Sequence, residues 1–365
     1  MVSIDLVNLT EEPVDYLDIS YLLKSSISTS VAPLARIDTR MHRKDYWHEC
    51  RARLSLKRNA LAIEPGLYAV GDPDEQSPVL VTANYKLTFD KLRVELCGLN
   101  LWILVVDTKG INVWCSAGKG TFNAQEIINR IRRGNLDRVV THRRLILPQL
   151  AAPGVASQSV TKFTGFKVVY GPIRAADIRE FIADGYKTNS KMRRVTFNLS
   201  ERIVLTPVEL VLGSKFIPFF FILFCLLNLF SNGSVNVKNV LEIACYNSLA
   251  YIMAIIIGTV LVPIMLPILP FRSFALKGAA AGIIWSLLVI YGGDFFRFSS
   301  QITMILGNSL LLTALISFFA LNFTGSTPYT SFTGAQKETL AAVPVHIIAA
   351  LLGLILLVVS QFTNF

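Results

Sequence analysis

Apolar positions divide the chain into two regimes. Up to about residue 215 they come in short runs separated by polar turns, and beyond it they come in long stretches. The very apolar run at 99–107 reads as a strand buried on both faces rather than a half-exposed, alternating one. The pattern at 123–133 sets Ile127, Ile128 and Ile131 on one helical face. Around this pair the pattern predicts strands at 79–83, 138–141 and 166–170, and helices at 87–96 and 175–183. Strands alternating with helices predict an α/β domain with a mostly parallel sheet covered on both faces. Five hydrophobic spans follow, at about 216–230, 249–269, 275–291, 302–322 and 340–362, each a candidate transmembrane helix. The first is short unless it extends back through 208–212, and the third is short unless Lys277 snorkels. Gly258, Pro263, Pro267 and Pro270 predict a kink or break in the second. Residues 1–60 show neither pattern and are expected to be poorly structured in part, with a Ser/Thr-rich piece at 25–30. The expected division is thus an extension (1–60), an α/β domain (61–200), a juxtamembrane linker (201–215) and an all-α, five-helix transmembrane domain (216–365).

Charge sharpens the division. Of 35 Lys+Arg and 25 Asp+Glu, only five and three lie beyond residue 215, so nearly all of the +10 belongs to the first part. Asp5, Glu11, Glu12, Asp15 and Asp18 stand where a secretory signal would have its apolar core. The α/β domain is therefore expected on the cytoplasmic side of a multi-pass protein of the inner membrane. Arg272, Lys277 and Lys337 agree modestly with that orientation, and five spans put the C-terminus outside. The basic segment from Arg40 to Arg58 is expected to be a solvated face near anionic lipid; no nucleic-acid motif accompanies it. Lys187, Lys191, Arg193, Arg194 and Arg202 suit a juxtamembrane position. The five cysteines form no C-x-x-C pair, so neither an iron–sulfur cluster nor a zinc knuckle is encoded and electrons must come from another protein. His48-Glu49-Cys50 has metal-binding residue types, but adjacent side chains diverge on a regular element. Cys225 and Cys245 are read foremost as small packing residues, with relay of a soft metal ion as the alternative.

The stretch richest in chemistry is Asn112-Val113-Trp114-Cys115-Ser116-Ala117-Gly118-Lys119-Gly120, just beyond the carboxyl end of the central apolar strand. Ligands bind at that end of open α/β sheets. Asn112 is placed to cap a short helix, which puts Cys115 within a turn of its N-terminus and near Lys119, an electropositive setting for a thiol. Taken by residue type alone, Cys115 reads as an inert core residue. A phosphate loop is a poor match, because Val113 stands where the first glycine is needed and Gly120 follows Lys119.

All nine residues agree with the signature of the corrinoid protein of the mercury-methylation pair, which this chain resembles. That family is related to the large subunit of the corrinoid iron–sulfur protein of the acetyl-CoA pathway. The resemblance extends to Pro65-Gly66-Leu67-Tyr68, to Ser77 through Thr88, to Leu147-Pro148-Gln149-Leu150, to Ala152-Pro153-Gly154-Val155 and to Gly171-Pro172. Where the family has Gly after Pro-Gln-Leu, this chain has Ala151.

The resemblance implies a Rossmann-like fold and a corrinoid cofactor (cobalamin, in its methylcobalamin form). It implies that Cys115 is the lower axial ligand of cobalt. Asn112 through Gly120, Pro153 and Gly154 would cradle the ring, and Thr82 and Thr88 would bond its amide side chains or nucleotide tail. Val113 and Trp114 are expected to pack the cap helix on the sheet. The implied activity is methyl transfer to Hg(II). Its partners would be a methyltetrahydrofolate-dependent methyl donor system, membrane lipid and a small ferredoxin with two four-iron, four-sulfur clusters. A membrane-tethered methyl carrier of one-carbon metabolism, a transporter with a ligand-sensing domain and a nucleotide-driven pump are the alternatives.

Overall fold

The computed structural model describes residues 16–54, 61–230, 237–296 and 300–362. The chain divides at 196/197 into two compact units. The first is an α/β unit. It opens with strands β1 (Leu23–Ile27) and β2 (Leu34–Ile37) and helix α1 (Arg43–Leu54). Then come β3 (Gly66–Val70), β4 (Val79–Ala83), α2 (Lys86–Glu95) and β5 (Leu101–Val106). The remainder is α3 (Val113–Lys119), α4 (Ala124–Arg133), α5 (Leu136–Val139), β6 (Arg144–Leu147), α6 (Ser157–Thr164), β7 (Lys167–Tyr170) and α7 (Ile178–Ala183). The strands form one mixed sheet in the order β1-β2-β3-β5-β4-β6-β7. Pairs β5–β4, β4–β6 and β6–β7 are parallel, whereas β1–β2 and β3–β5 are antiparallel.

The central strand β5 explains why the sheet is covered on both sides. Trp102, Leu104 and Val106 pack with Ile127 and Ile131 of α4, while Leu101, Ile103 and Val105 pack with Phe89 of α2 and Phe181 of α7. Side chains alternate across a strand, so two buried faces demand an unbroken apolar run.

Three expectations are corrected here. The described part of the N-terminal extension, residues 16–54, carries regular structure: β1 takes in Ser25 and Ser26 of the Ser/Thr-rich piece, and β2 joins the sheet through β3. The strand expected at 138–141 is absent. Leu136 and Val139 are buried one helical turn apart in α5, and the strand falls on Leu145-Ile146-Leu147 instead. Arg143 donates to the carbonyls of Asp137 and Val140, holding the turn between them. The basic segment is not simply a solvated face, because Asp45 of α1 is completely buried. Its carboxylate accepts from Lys86 Nζ and Arg93 Nη2, both at 2.6 Å, and from the Tyr21 hydroxyl at 2.6 Å. Asp90 completes the cluster by accepting from Lys86 and from Arg93 Nε.

The second unit is all helical. α8 (Leu199–Ser214) opens on a capping box formed by Asn198 and Glu201 and is followed by α9 (Ile217–Phe230) and α10 (Val237–Ile256). A π turn (Ile257–Leu261) leads into α11 (Val262–Met265), then come α12 (Phe274–Tyr291), α13 (Gly293–Phe296), α14 (Ile302–Asn322) and α15 (Phe332–Phe362). Five helical spans among the described residues are long and apolar enough to cross a membrane. The first, Leu199–Leu229, runs back through the expected linker, and the second carries the predicted interruption as the π turn.

Helices α12 and α14 touch through glycine. A Cβ at Gly278 would lie 2.6 Å from Ser317 Cα, and one at Gly282 would lie 2.7 Å from Thr313 Cα. Small residues four apart let backbones approach this closely. Lys277 does not snorkel. It is buried, and Nζ donates to the carbonyls of Leu266 and Leu269 at 2.7 and 2.6 Å, satisfying the chain end left where the broken second span stops.

Candidate functional site

The α/β unit contains a cavity of about 430 Å³ at the carboxyl ends of its parallel strands. Leu80, Val81 and Thr82 of β4 and Ile146 and Leu147 of β6 form its floor. Thr88, Lys91 and Leu92 of α2 form one wall, and Pro148, Leu150, Pro172 and Ile173 form another. Asn112, Val113 and Trp114, at the start of α3, close it. The cavity is mainly apolar, with the hydroxyls of Thr82 and Thr88 and the Asn112 amide among its polar groups. That suits a large organic group held by contact area and oriented by a few hydrogen bonds.

Local chemistry sets α3 in place. Asn112 Oδ1 accepts from the Cys115 amide at 2.9 Å, the N-cap expected from the sequence. At the other end Gly120 takes φ +78°, a left-handed C-cap that only glycine adopts without strain. Ser116 spends its hydroxyl inside the helix, donating to Asn112 O at 2.6 Å and Val113 O at 3.0 Å. Ala117 is buried against the loop that carries Gly154. A Cβ at Gly154 would stand 2.8 Å from Ala117 Cα and 2.5 Å from the Phe122 carbonyl, so this glycine permits the contact.

The sequence-predicted residues therefore separate into groups. Thr82, Thr88, Asn112, Val113 and Trp114 meet around the cavity. Pro153 and Gly154 lie outside its lining, and Gly154 buttresses α3 from behind. Gly118 and Gly120 border open space, and Lys119 is exposed. Cys115 is half-buried, one residue beyond the lining. Trp114 departs from expectation: it is 38% exposed and borders the cavity, while Val113 is the residue buried against the core. His48, Glu49 and Cys50 do not converge. Glu49 pairs with Arg53, His48 lies beside Tyr21 and Cys50 is exposed. Among the described residues there is no group of three or more His, Cys, Asp or Glu able to hold a metal ion.

Two features were not visible beforehand. Asn84, fully buried, organises the turn before α3. Its Oδ1 accepts from the Thr108 amide (3.0 Å), the Thr108 hydroxyl (2.9 Å) and the Gly110 amide (3.1 Å), and its Nδ2 donates to Asp107 (3.1 Å). A polar residue directly after an apolar strand was the available signal. Arg53 is the second: it lines the cavity from α1 and donates to Glu49 at 2.8 Å, while Lys91, across the rim, reaches the same carboxylate at 3.6 Å.

Comparison with known proteins bears on this unit alone. Residues 55–182 match the family described as CO dehydrogenase/acetyl-CoA synthase delta subunit. The acetyl-CoA decarbonylase/synthase complex subunit gamma of Methanopyrus kandleri is 36% identical over 127 residues, 34% of this chain and 27% of that one. Its counterpart in Methanocaldococcus jannaschii is 34% identical over 155 residues, 40% and 31%. The corrinoid/iron–sulfur protein large subunit of Moorella thermoacetica is 32% identical over 123 residues, 33% and 27%. This chain thus spans less than a third of the length of each of these relatives. The matched segment contains the cavity's strands, α3 and the Gly154 loop.

Proposed function

We propose that the α/β unit binds a corrinoid and that the protein transfers a cobalt-bound methyl group to Hg(II), giving methylmercury, with the Cys115 thiolate as lower axial ligand of cobalt. The observation that carries this reading is the intact nonapeptide from Asn112 to Gly120 set as a capped helix over a cavity at the strand ends. The residues present fit such a group. The lining offers apolar contact for a broad ring, the Thr82 and Thr88 hydroxyls suit its amide side chains, and open space beside Gly118 and Gly120 permits close backbone approach. One of the relatives is by name a corrinoid/iron–sulfur protein.

A corrinoid, when bound, supplies a methyl group on cobalt, and transfer to electrophilic Hg(II) requires that methyl to leave carrying extra electron density. Cys115 would help to hold the group through its thiolate and would supply electron density to it. Asn112 holds the first turn through the Cys115 amide, and Asn84, through Thr108 and Gly110, sets the turn from which α3 starts. Val113 anchors the helix in the core, and Trp114 borders the cavity. Methyl groups would come from a methyltetrahydrofolate-dependent system and electrons from a small ferredoxin with two four-iron, four-sulfur clusters. The five apolar spans would hold the protein in the cytoplasmic membrane, with the α/β unit on the cytoplasmic side. A second reading, a membrane-tethered methyl carrier of the acetyl-CoA pathway, is favoured by the printed names of the relatives.

The test is the visible absorption spectrum and mercury-methylating activity of the full-length protein loaded with methylcobalamin, wild type against Cys115→Ala. A thiolate-ligated spectrum and an activity that both disappear in the variant are expected. Identical spectra would remove Cys115 as a ligand and favour the carrier. Failure of the folded wild type to retain corrinoid would overturn both readings.

A further inference from the structure

Cys225 of α9 and Cys245 of α10 take no part in the site described above, and both are free thiols. The two helices belong to one unit, are joined by residues 231–236 and pack against each other, so they run antiparallel. Phe220 and Phe224 of α9 meet Tyr251 of α10, with ring centres 4.4 and 5.2 Å apart. Long side chains on a helix lean towards its N-terminus, so the Tyr251 ring lies over the preceding turn. Counting back along α10 from that contact brings Cys245 level with Cys225, the neighbour of Phe224. The two thiols are near enough to feel each other's charge.

Packing alone does not account for the pair. The small residues that fill the contacts of α10 are Ala244, Ser248, Ala250 and Ala254, all buried. Cys245 is instead exposed and Cys225 half-buried, which sets both thiols at the rim of the helix–helix contact, within reach of an ion. They lie five and eight residues from the helix ends that the connection joins, about 8 and about 12 Å along the axes. An ion entering at that end need not cross the bundle.

We propose that Cys225 and Cys245 form a two-coordinate thiolate site for a soft divalent cation, of which Hg(II) is the type. On binding, two S–H bonds break, two S–metal bonds form and two protons pass to water; nothing is oxidised or reduced. A 2+ ion held by two thiolates carries no net charge. That neutrality matters for helices in lipid, where an uncompensated charge is costly. A monovalent soft cation between the same thiolates would leave a negative charge, and Zn(II) would lack two of the four ligands it takes. No third His, Cys, Asp or Glu joins the pair among the described residues. The charge argument rests on the membrane-spanning reading of the helical unit. The site uses neither Cys115 nor a corrinoid and is tested without cofactor.

The experiment uses the full-length chain, one copy per phosphatidylcholine nanodisc, in a Cys50→Ser/Cys97→Ser/Cys115→Ser background that leaves only this pair of the five cysteines. Mercuric chloride is added against a fixed excess of glutathione. Retained mercury is measured after gel filtration, and unreacted thiols are counted by alkylation and mass spectrometry. One Hg(II) per chain that protects both thiols is expected. Cys225→Ser and Cys245→Ser should each lower retention about 100-fold or more, because the second thiolate acts intramolecularly and a single one competes no better than glutathione. Excess Zn(II) should not displace the ion. Two Hg(II) per chain, or single variants that keep the parent's retention, would show two separate thiols and overturn the proposal. Displacement by Zn(II), or loss of Hg(II) from the parent to glutathione, would overturn it as well. Neither result alters the Cys115 spectrum, so the two readings fail separately.

Discussion

The α/β unit and the helical unit bury polar groups by different means. In the first, a block of full charges is sealed in: Lys86 and Arg93 against Asp45 and Asp90, between α1 and α2. In the second, the buried hydrogen bonds are mostly short and neutral. Tyr251 donates to Asn308 at 2.8 Å, Ser317 donates to the Ala275 carbonyl at 2.7 Å, and glycines bring the helices together. Lys277 and Arg202 are charged exceptions, and backbone carbonyls rather than carboxylates receive them. The exposed faces differ in the same sense: α12 and α15 present Ile283, Ile284, Ile348 and Leu351 outward, as a surface surrounded by lipid would. Where water surrounds the fold, apolar burial supplies the driving force and a paired charge cluster can add specificity. For helices surrounded by lipid that force would be absent, and close backbone contact of the kind seen between α12 and α14 would take its place.

Breaking either device should damage one unit and spare the other. The largest effect is expected from Lys86→Met, which leaves Asp45 and Asp90 buried with Arg93 alone. A loss of about 3–5 kcal/mol follows from removing one partner of a buried ionic group. Denaturant titration followed by near-ultraviolet circular dichroism measures it, with α12–α14 packing unchanged. Next comes Asn84→Ala. It strips the acceptor from three donors before α3 and should cost about 1–3 kcal/mol. Corrinoid affinity, read by equilibrium dialysis, should fall in this variant even though Asn84 does not line the cavity. In the helical unit Gly278→Leu forces α12 from α14 and should cost about 1–3 kcal/mol. It should lower the thermal midpoint in detergent while corrinoid binding holds, and a loss of binding would show that the units are energetically coupled.

The smallest effect is one of pH. Burial, and then the charge of Lys86, hold the His48 imidazole below its usual range. As pH falls through ~6.5 the unfolded chain takes up that proton before the folded one, so stability declines. Asp45 acts in the same direction at lower pH. Burial by itself would raise its carboxyl, but hydrogen bonds from Lys86, Tyr21 and the His42 amide prevail and hold it well below the usual carboxylate range. Its contribution is complete above ~4 and is lost on further acidification. Melting curves from pH ~7.5 to ~3 should show a shallow decline near pH ~6.5 that His48→Gln flattens, and a second, steeper loss below pH ~4 that remains.

Much of this was legible along the chain. The apolar run at β5, the Ile127/Ile128/Ile131 face, the Asn112 cap and the five spans are local patterns, decided within one or two turns of the residue concerned. The first strands escaped notice because β1 and β2 are short, polar at Ser25, Ser26 and Arg36, and beyond their own pairing join the sheet only through β3, much further along the chain. Asn84 and Arg53 were missed for a related reason, since their meaning lies in what they meet across the fold.

The sequence by itself determined the central strand, the Ile127/Ile128/Ile131 helix and the five apolar spans, how charge divides between the two units, and that a cysteine-bearing capped helix follows the central strand. These follow from side-chain period, capping and turn chemistry, which act between neighbours. Only the tertiary structure decided that Thr82, Thr88 and Asn112 share one cavity, that Trp114 faces it while Val113 enters the core, and that Asp45 and Lys277 are buried with partners. Those outcomes depend on contacts between residues far apart in the chain, and the physical force behind them, removal of side chains from solvent into a packed interior, has no local signature.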